Sequence, residues 1–373
     1  MPRFDLAVIG GGLAGSATAY FAARAGARAA LIERRDVNLG ASGSNAGSIH
    51  AQIPFDPFRS LGADWARRFS ATLPLFRASI ARWAELEQEL GGDLGLVRKG
   101  GLMVAGSEAD LRALEVKAGI ERAAGLEVDL WSATELAERA PFLAPGMAGG
   151  AFCPIEGKAD PFKVAPLFAK RAVEAGVRLI RDAHVSAISP GQGGFTLTTT
   201  AGEIRAEKVV NAAGAHAADV ARLVGVEVPI EAHAIQVAVT ERRPPILPWL
   251  LYFTDEKLTL KQAREGGFLI GGGWPARLRG SPVVDHRSMI RNLALAARLV
   301  PAVAGVEILR SWAAMVNGTR DWRPILGEVP QVPGFFLNLF PWMGFTAGPA
   351  VSEAIASLAL GEEPKVDLTP FSL

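Results

Sequence analysis

The chain of 373 residues has one cysteine, two tyrosines, no surplus of either charge and no long apolar run, and each scarcity removes a class of function. With Cys153 as the sole thiol, an internal disulfide, a CxxC redox pair and a self-ligated iron-sulfur cluster are excluded, so redox work here needs a bound organic cofactor. The 39 basic and 38 acidic side chains leave a net charge of +1, which creates no broad field for nucleic acid or an anionic membrane. Function must then sit in a local site. No stretch reaches about 18 consecutive apolar residues, so no transmembrane segment is expected. His184, His216, His233 and His286 have no acid or cysteine at metal-ligand spacing, and no metal site is predicted. Of the two phenols, Tyr20 falls in the first helix of the motif described next, which leaves Tyr252 alone for the rest of the chain.

What the sequence does contain is concentrated near its start. Phe4-Asp-Leu-Ala-Val-Ile9 is an apolar strand, Gly10-Gly-Gly12-Leu13-Ala14-Gly15 a turn opening a helix, and Ala-Leu-Ile32 a second strand ending in Glu33 and Arg34. Gly10 permits the tight turn, Gly12 admits a pyrophosphate close to the backbone, and Gly15 lets helix and strand pack closely. Phosphates then meet the positive end of the helix, and Glu33, 18 residues beyond Gly15, is placed for ribose hydroxyls. The competing reading is a plain glycine-rich turn. Arg3 and the apolar run that follows could pass for a signal peptide, but three phased glycines fit a nucleotide fold better, so the segment is read as uncleaved and the protein as cytoplasmic.

At this length two structural domains sharing an interface are expected. After Glu33, Gly40-Ala-Ser42-Gly-Ser-Asn45-Ala46-Gly47-Ser-Ile-His50 is a small-residue loop open to a ligand. Helical periodicity over about 62–90 and 108–124 interrupts the nucleotide unit. Asp160-Pro161 opens a helix to about Gly176, and 177–180, 184–188 (with Val185) and 195–200 read as strands. Lys208-Val-Val-Asn-Ala212-Ala213-Gly214 is a buried strand running into a turn that again brings bare backbone to a ligand. From Ile235 to Gly273 the alternation predicts an antiparallel sheet forming a roof over the cofactor, followed by a helix over 286–300. The end returns to the first domain with a strand over 335–340, a loop over 341–346 and a helix from Pro349 to Leu360. The fold class is therefore α/β, or α+β overall: a Rossmann-type cofactor domain of residues 1–61, 141–226 and 308–373, interleaved with a substrate domain of residues 62–140 and 227–307.

A nicotinamide-dependent dehydrogenase would continue in regular strand-helix alternation to about residue 150. Here helices intrude early and nucleotide-domain segments recur at the far end, which favours FAD. The Gly10 to Glu33 unit, the Ala41-Ser42-Gly-Ser-Asn45-Ala46-Gly47 loop, the Asn211-Ala-Ala213-Gly214 turn and Arg323-Pro-Ile-Leu-Gly327 together resemble the D-amino-acid oxidase superfamily of flavoenzymes, with its glutathione-reductase-like cofactor domain. Asn45 to Pro54 and Phe340-Pro-Trp342-Met343-Gly344-Phe345-Thr346-Ala-Gly348-Pro349 look most like the flavin-bearing β subunits of opine oxidases and hydroxyproline dehydrogenases. The resemblance implies FAD contacts in all of these segments and at Val185 and Met315. It also implies two-electron oxidation of an amino acid or opine at the carbon beside nitrogen. Partner chains would carry the electrons away on FMN or an iron-sulfur centre. Family members with cysteine-tethered flavin place that cysteine where Ala313-Ala314-Met315 stands, so the FAD is expected to be non-covalent.

Independently of family, Gly344 to Gly348 precede a helix whose free N–H groups and positive end suit a developing negative charge on a flavin edge. Five side chains are candidates at the substrate. Tyr252 is the available phenol. Lys261 and Arg264 are cations on a strand, to be held by a buried carboxylate if functional and to lie on a solvated edge strand if not. His50 follows the small-residue loop toward the flavin face, unless the backbone satisfies it. The resemblance adds Trp342: Trp342-Met343 stands where many family members have Gly-His-Gly, which implies a bulky apolar group beside the substrate side of the flavin and hints at a secondary amine with an apolar flank. A stand-alone oxidase using oxygen, with Lys261 stabilising superoxide, and a catalytically idle FAD-binding scaffold subunit are the competing functional readings.

Overall fold

The computed structural model describes residues 3–373. Arg3–Ile9, apolar on both faces, lies at the centre of an eight-stranded sheet, with Leu6, Ala7 and Val8 wholly inaccessible to solvent. The strands run in the order Ile325–Glu328, Phe335–Leu339, Gly202–Asn211, Arg3–Ile9, Ala29–Ile32, Arg178–Ile180. All neighbours are parallel except the first pair, and the hairpin Val185–Gly191/Gly194–Thr199 adds antiparallel to Gly202–Asn211. Helices Leu13–Arg24, Pro161–Glu174 and Gly344–Leu360 cover one face, and the hairpin with helix Ala217–Arg222 covers the other. Burial on both faces is what continuous Val/Ile/Leu/Ala strands require.

A second eight-stranded sheet forms the roof, in the order Ile308–Gly318, Glu231–Arg242, Gly267–Gly271, Thr259–Gln262, Leu250–Phe253, Gly101–Ala105, Gly149–Cys153, Asp129–Ser132. It is not wholly antiparallel as predicted, because Leu250–Phe253 runs parallel to Gly101–Ala105. The last three of these strands come from segments for which the sequence predicts no element. Gly149–Cys153 and Ile308–Gly318 pair in the roof although their segments, 141–226 and 308–373, also supply the cofactor sheet. Helix Phe55–Phe69, bent at Gly62 with φ of 80°, packs on helix Glu108–Ala123, and helix Leu73–Leu90 packs on helix Gly344–Leu360.

The closing helix starts at Gly344, five residues before the expected Pro349. Proline inside a helix removes one N–H and crowds the preceding turn. The Ser79 hydroxyl inserts there, donating to Thr346 O (2.7 Å) and accepting from Ala350 N (3.3 Å), while Trp83 Nε1 donates to the same carbonyl (3.0 Å). The turn interrupted at Pro349 is thus splinted by side chains of helix Leu73–Leu90, and residues 344–346 stay helical.

Candidate active site

The first turn has the form its glycines require. Gly10 adopts φ of 111°, and a Cβ there would stand 2.6 Å from Ala212 O. A Cβ on Gly15 would stand 1.8 Å from Gly10 O. Gly12 begins helix Leu13–Arg24 without a side chain to cap it, and Ser42 Oγ accepts the Leu13 N–H at 2.8 Å. Glu33 accepts from Gly11 N (2.7 Å) and Arg35 N (2.9 Å), which holds its carboxylate beside the turn, while Arg34 points into solvent.

Loop 40–50 is laced to itself, to the start of helix Leu13–Arg24, to Ala159 and to the roof. Asn45 Oδ1 accepts from Gly47 N (2.7 Å) and its Nδ2 donates to Ser42 O (2.6 Å), so this side chain shapes the loop. Gly47 has φ of 73°, and a Cβ there would stand 2.1 Å from Ala159 O. Trp312 of the roof donates to Ser44 O (2.7 Å), and Ala46 lies against Gly271. Ala213 and Gly214 follow Ala212, which packs on Gly10, and Val185 follows Ala183, whose N–H donates to Glu33 O. Met315 lies half-buried on the roof's edge strand, paired with Ala234. The Arg323 guanidinium is engaged elsewhere, donating to Pro370 O (2.6 Å) and stacking over Phe371.

Three of the five substrate-side candidates converge where the closing helix, loop 40–50 and the roof meet. Thr346 Oγ1 accepts the His50 N–H at 2.8 Å, His50 Nδ1 lies 2.7 Å from Tyr252 Oη, and Lys261 Nζ donates to Ser48 Oγ. Lys261 occupies an interior strand and is fully buried, so the solvated-edge reading does not hold, and its partner is a hydroxyl where a carboxylate had been expected. Burial first, then the charge of Lys158, lowers its pKa to about 7. Burial and the charge of Lys261 lower that of His50 to about 3, which keeps the imidazole neutral. The backbone satisfies neither: the His50 main-chain N–H goes to the Thr346 hydroxyl and the ring Nδ1 to Tyr252. Arg264, by contrast, is exposed and faces Asp93 at 3.6 Å.

The fifth candidate, Trp342, has φ of 56°, a conformation bulky side chains adopt only when their surroundings hold them in it. Its ring stacks on Trp322 at 4.9 Å, lies 4.8 Å from His233, and would clash with any Cβ on Gly318. Its Nε1 is buried without a partner.

Sequence reasoning missed the acid beneath this cluster. Glu156 is fully buried and accepts from Tyr252 Oη (3.1 Å), the backbone N–H groups of Ala51 (2.6 Å) and Gln52 (2.8 Å), and Gln52 Nε2 (3.2 Å). Burial raises its pKa against those hydrogen bonds, and burial with the charge of Glu156 raises that of Tyr252 well above the usual phenol range. Lys117 and Glu121, both inaccessible, pair at 2.6 Å, and Glu121 also accepts the Ile53 N–H. The only sequence signal for these was acids and a lysine within otherwise apolar neighbourhoods.

The residues present fit a bound FAD. The glycine cradle is bare where a Cβ would block it, Glu33 stands ready beside it, and the closing helix begins at Met343 without a side-chain cap. Among the described residues there is no cluster of three or more metal-ligating side chains, and no helix is long and apolar enough to cross a membrane.

Comparison with known proteins agrees. Residues 5–358 match the family described as FAD dependent oxidoreductase (DAO). The chain is 30% identical to glycine oxidase of Geobacillus kaustophilus over 383 residues, covering 100% of this chain and 97% of that protein. It is 28% identical to an opine oxidase subunit of Rhizobium meliloti, covering 90% and 88% of the two chains, and 26% identical to the beta subunit of sarcosine oxidase from an Arthrobacter species, covering 99% and 90%. The crystal structure of the Geobacillus glycine oxidase superposes with a TM-score of 0.88 at 28% identity, covering 100% of this chain and 99% of that one.

Proposed function

The chain belongs to this family of FAD-dependent oxidoreductases, and we propose that it oxidises a secondary amino acid or opine-type amine at the carbon beside nitrogen, as the catalytic subunit of a hetero-oligomer. FAD, when bound, supplies the two-electron acceptor. The observation that carries the reading is a neutral, half-buried imidazole at His50, held by Thr346 in the first turn of the closing helix, beside a fully buried amine at Lys261 that is bonded to Ser48. His50 accepts a hydrogen bond from the substrate nitrogen. Lys261, through its proton and Ser48, steadies the substrate carboxylate, and Trp342 borders an apolar flank while excluding water. Free N–H groups at Gly344 and Phe345 favour negative charge at that end of the site.

FAD is held without a covalent bond, in keeping with Ala313-Ala314-Met315 and with a Cys153 thiol that burial makes unreactive by raising its pKa. Acid precipitation should release all flavin into the supernatant. The hetero-oligomer is supported by similarity to proteins named as subunits of opine and sarcosine oxidases. A second reading, a stand-alone oxidase, is supported by the glycine oxidase similarity over the full length of the chain.

The experiment is an anaerobic absorbance scan of the FAD-loaded chain mixed in turn with opines, D-hydroxyproline, L-proline, sarcosine and D-alanine. Bleaching by a secondary amine followed by slow recovery in air supports the dehydrogenase subunit, and fast recovery with peroxide supports the oxidase. Persistence of the oxidised spectrum with every amine would refute amine oxidation by this chain and leave a scaffold role.

A further inference from the structure

Glu156 has every acceptor position filled by a donor, and this fixes protons beyond it. Oε1 takes the backbone N–H groups of Ala51 and Gln52. Oε2 takes the Gln52 amide, whose orientation is set by Gly101 O accepting from its nitrogen and Lys117 Nζ donating to its oxygen (3.4 Å each), and it takes the Tyr252 hydroxyl. Tyr252 has one proton. Directed at Glu156, it leaves the phenol oxygen as the acceptor for His50, 2.7 Å away, so Nδ1 of the imidazole carries the hydrogen. A neutral ring then has a bare Nε2, and on this half-buried residue the ring's one hydrogen bond to the described residues is that at Nδ1.

Resting on the function proposed above, we propose that His50, Tyr252 and Glu156 form a proton relay that removes the proton a cationic amine substrate must lose before its C–H bond is oxidised, with Glu156 as the relay's far end. The ammonium N–H breaks as an Nε2–H bond forms on His50. The Nδ1–H bond breaks as that proton joins Tyr252, whose own proton moves to Glu156 Oε2. One proton travels from amine to carboxylate, the nitrogen regains its lone pair, and no electron changes hands. Lys261 faces His50 from the roof and, where it is protonated, at pH up to about 7, disfavours a lasting imidazolium, so passing the charge on to Glu156 relieves that repulsion. The other ionisable groups around the carboxylate are Cys153, Lys117 and Glu121. Burial, which raises the pKa of Glu156, equips it to keep the proton. Tyr252 and Glu156 act through His50 and are positioning residues.

The first readout is nitrogen-15 NMR of the histidine-labelled FAD-loaded protein, which reports the tautomer of His50 without substrate. The wild type should show hydrogen on Nδ1 and a bare Nε2. In Glu156→Gln the new amide donates to Tyr252, the phenol donates to Nδ1, and the hydrogen moves to Nε2. The second readout is the pH profile of anaerobic flavin bleaching by the amine that reduces the wild type. Glu156→Gln and Tyr252→Phe should each slow bleaching about 10²-fold where the substrate is ammonium, with the deficit vanishing as pH rises to supply free amine. A structural role alone would lower flavin content or slow bleaching equally at all pH. Hydrogen on Nε2 in the wild type, or a wild-type pH profile in flavin-replete Tyr252→Phe, overturns the relay. Should Glu156→Gln fail to fold, the wild-type tautomer and Tyr252→Phe decide. If no amine bleaches the wild type, the functional proposal falls, while the tautomer still judges whether Glu156 orients His50.

Discussion

Replacing Lys261 with methionine should stabilise the protein at neutral pH and lose that advantage in alkali. The amine is fully buried with Ser48 as partner, and its pKa drops from 10.5 to about 7. Between those limits the unfolded chain holds a proton on this lysine that the folded state has shed. Stability contributed by the group therefore rises with pH across the window and is flat on either side. A difference of about 3.5 in pKa corresponds to about 5 kcal/mol, reduced to about 3–4 once local relaxation is included. Methionine nearly matches lysine in shape and loses only the hydrogen bond to Ser48, worth about 1 kcal/mol. Lys261→Met should thus exceed the wild type by about 2–3 kcal/mol at pH 7 and fall about 1 kcal/mol below it above pH 10.5. Urea unfolding of both FAD-saturated proteins at several pH values measures this. Lys158, with a pKa of about 8, titrates in the same window, so the difference between the two proteins is the informative quantity. A difference independent of pH would show that Lys261 is not held neutral by burial, and the reasoning would fail.

Gly15→Ala should cost about 3 kcal/mol and yield flavin-free protein, since the new methyl meets Gly10 O at 1.8 Å, whereas Gly40→Ala, with no atom within 4 Å of the added carbon, should retain FAD; the ratio of flavin to protein absorbance separates them. Lys117→Met or Glu121→Leu alone should cost about 3–5 kcal/mol by stranding a buried charge, while the double replacement should cost clearly less than either, as denaturant midpoints will show. Trp342→Gly should relieve the left-handed backbone, worth about 1–2 kcal/mol, yet leave a void beside Trp322 and His233; anaerobic titration should show weaker binding of substrates with apolar flanks and little change for small ones.

The cofactor half of the fold was legible because its signals are local. Gly10, Gly12, Gly15 and Glu33 lie within one strand-helix-strand unit, and their geometry follows from what a Cβ would strike. The roof was legible only in part. Gly101–Ala105 and Gly149–Cys153 are short, and their partners lie about 150 and 50 residues away, so no window of sequence contains the pairing. Pro349 was taken for a helix start, the usual place for proline, because nothing in its neighbourhood announces that Ser79, 270 residues earlier, repairs the interrupted turn. Lys261 and His50 could be nominated from the chain, but Glu156 could not, since its role depends on Ala51, Gln52 and Tyr252 arriving from two other segments.

The path of the chain between its two sheets has a further consequence. It builds the centre of the cofactor sheet, crosses to the roof for 101–153, returns for 178–211, crosses again for 231–318 and returns once more. Neither layer is a contiguous stretch that can be excised, transplanted or expressed alone. Native pairing across such separations is slow to close and forms in concert, so truncation at any crossing should yield insoluble chain and not half an enzyme. For the same reason the roof is not a cassette: no single cut-and-join in the chain exchanges it for another cap while leaving the cofactor sheet whole.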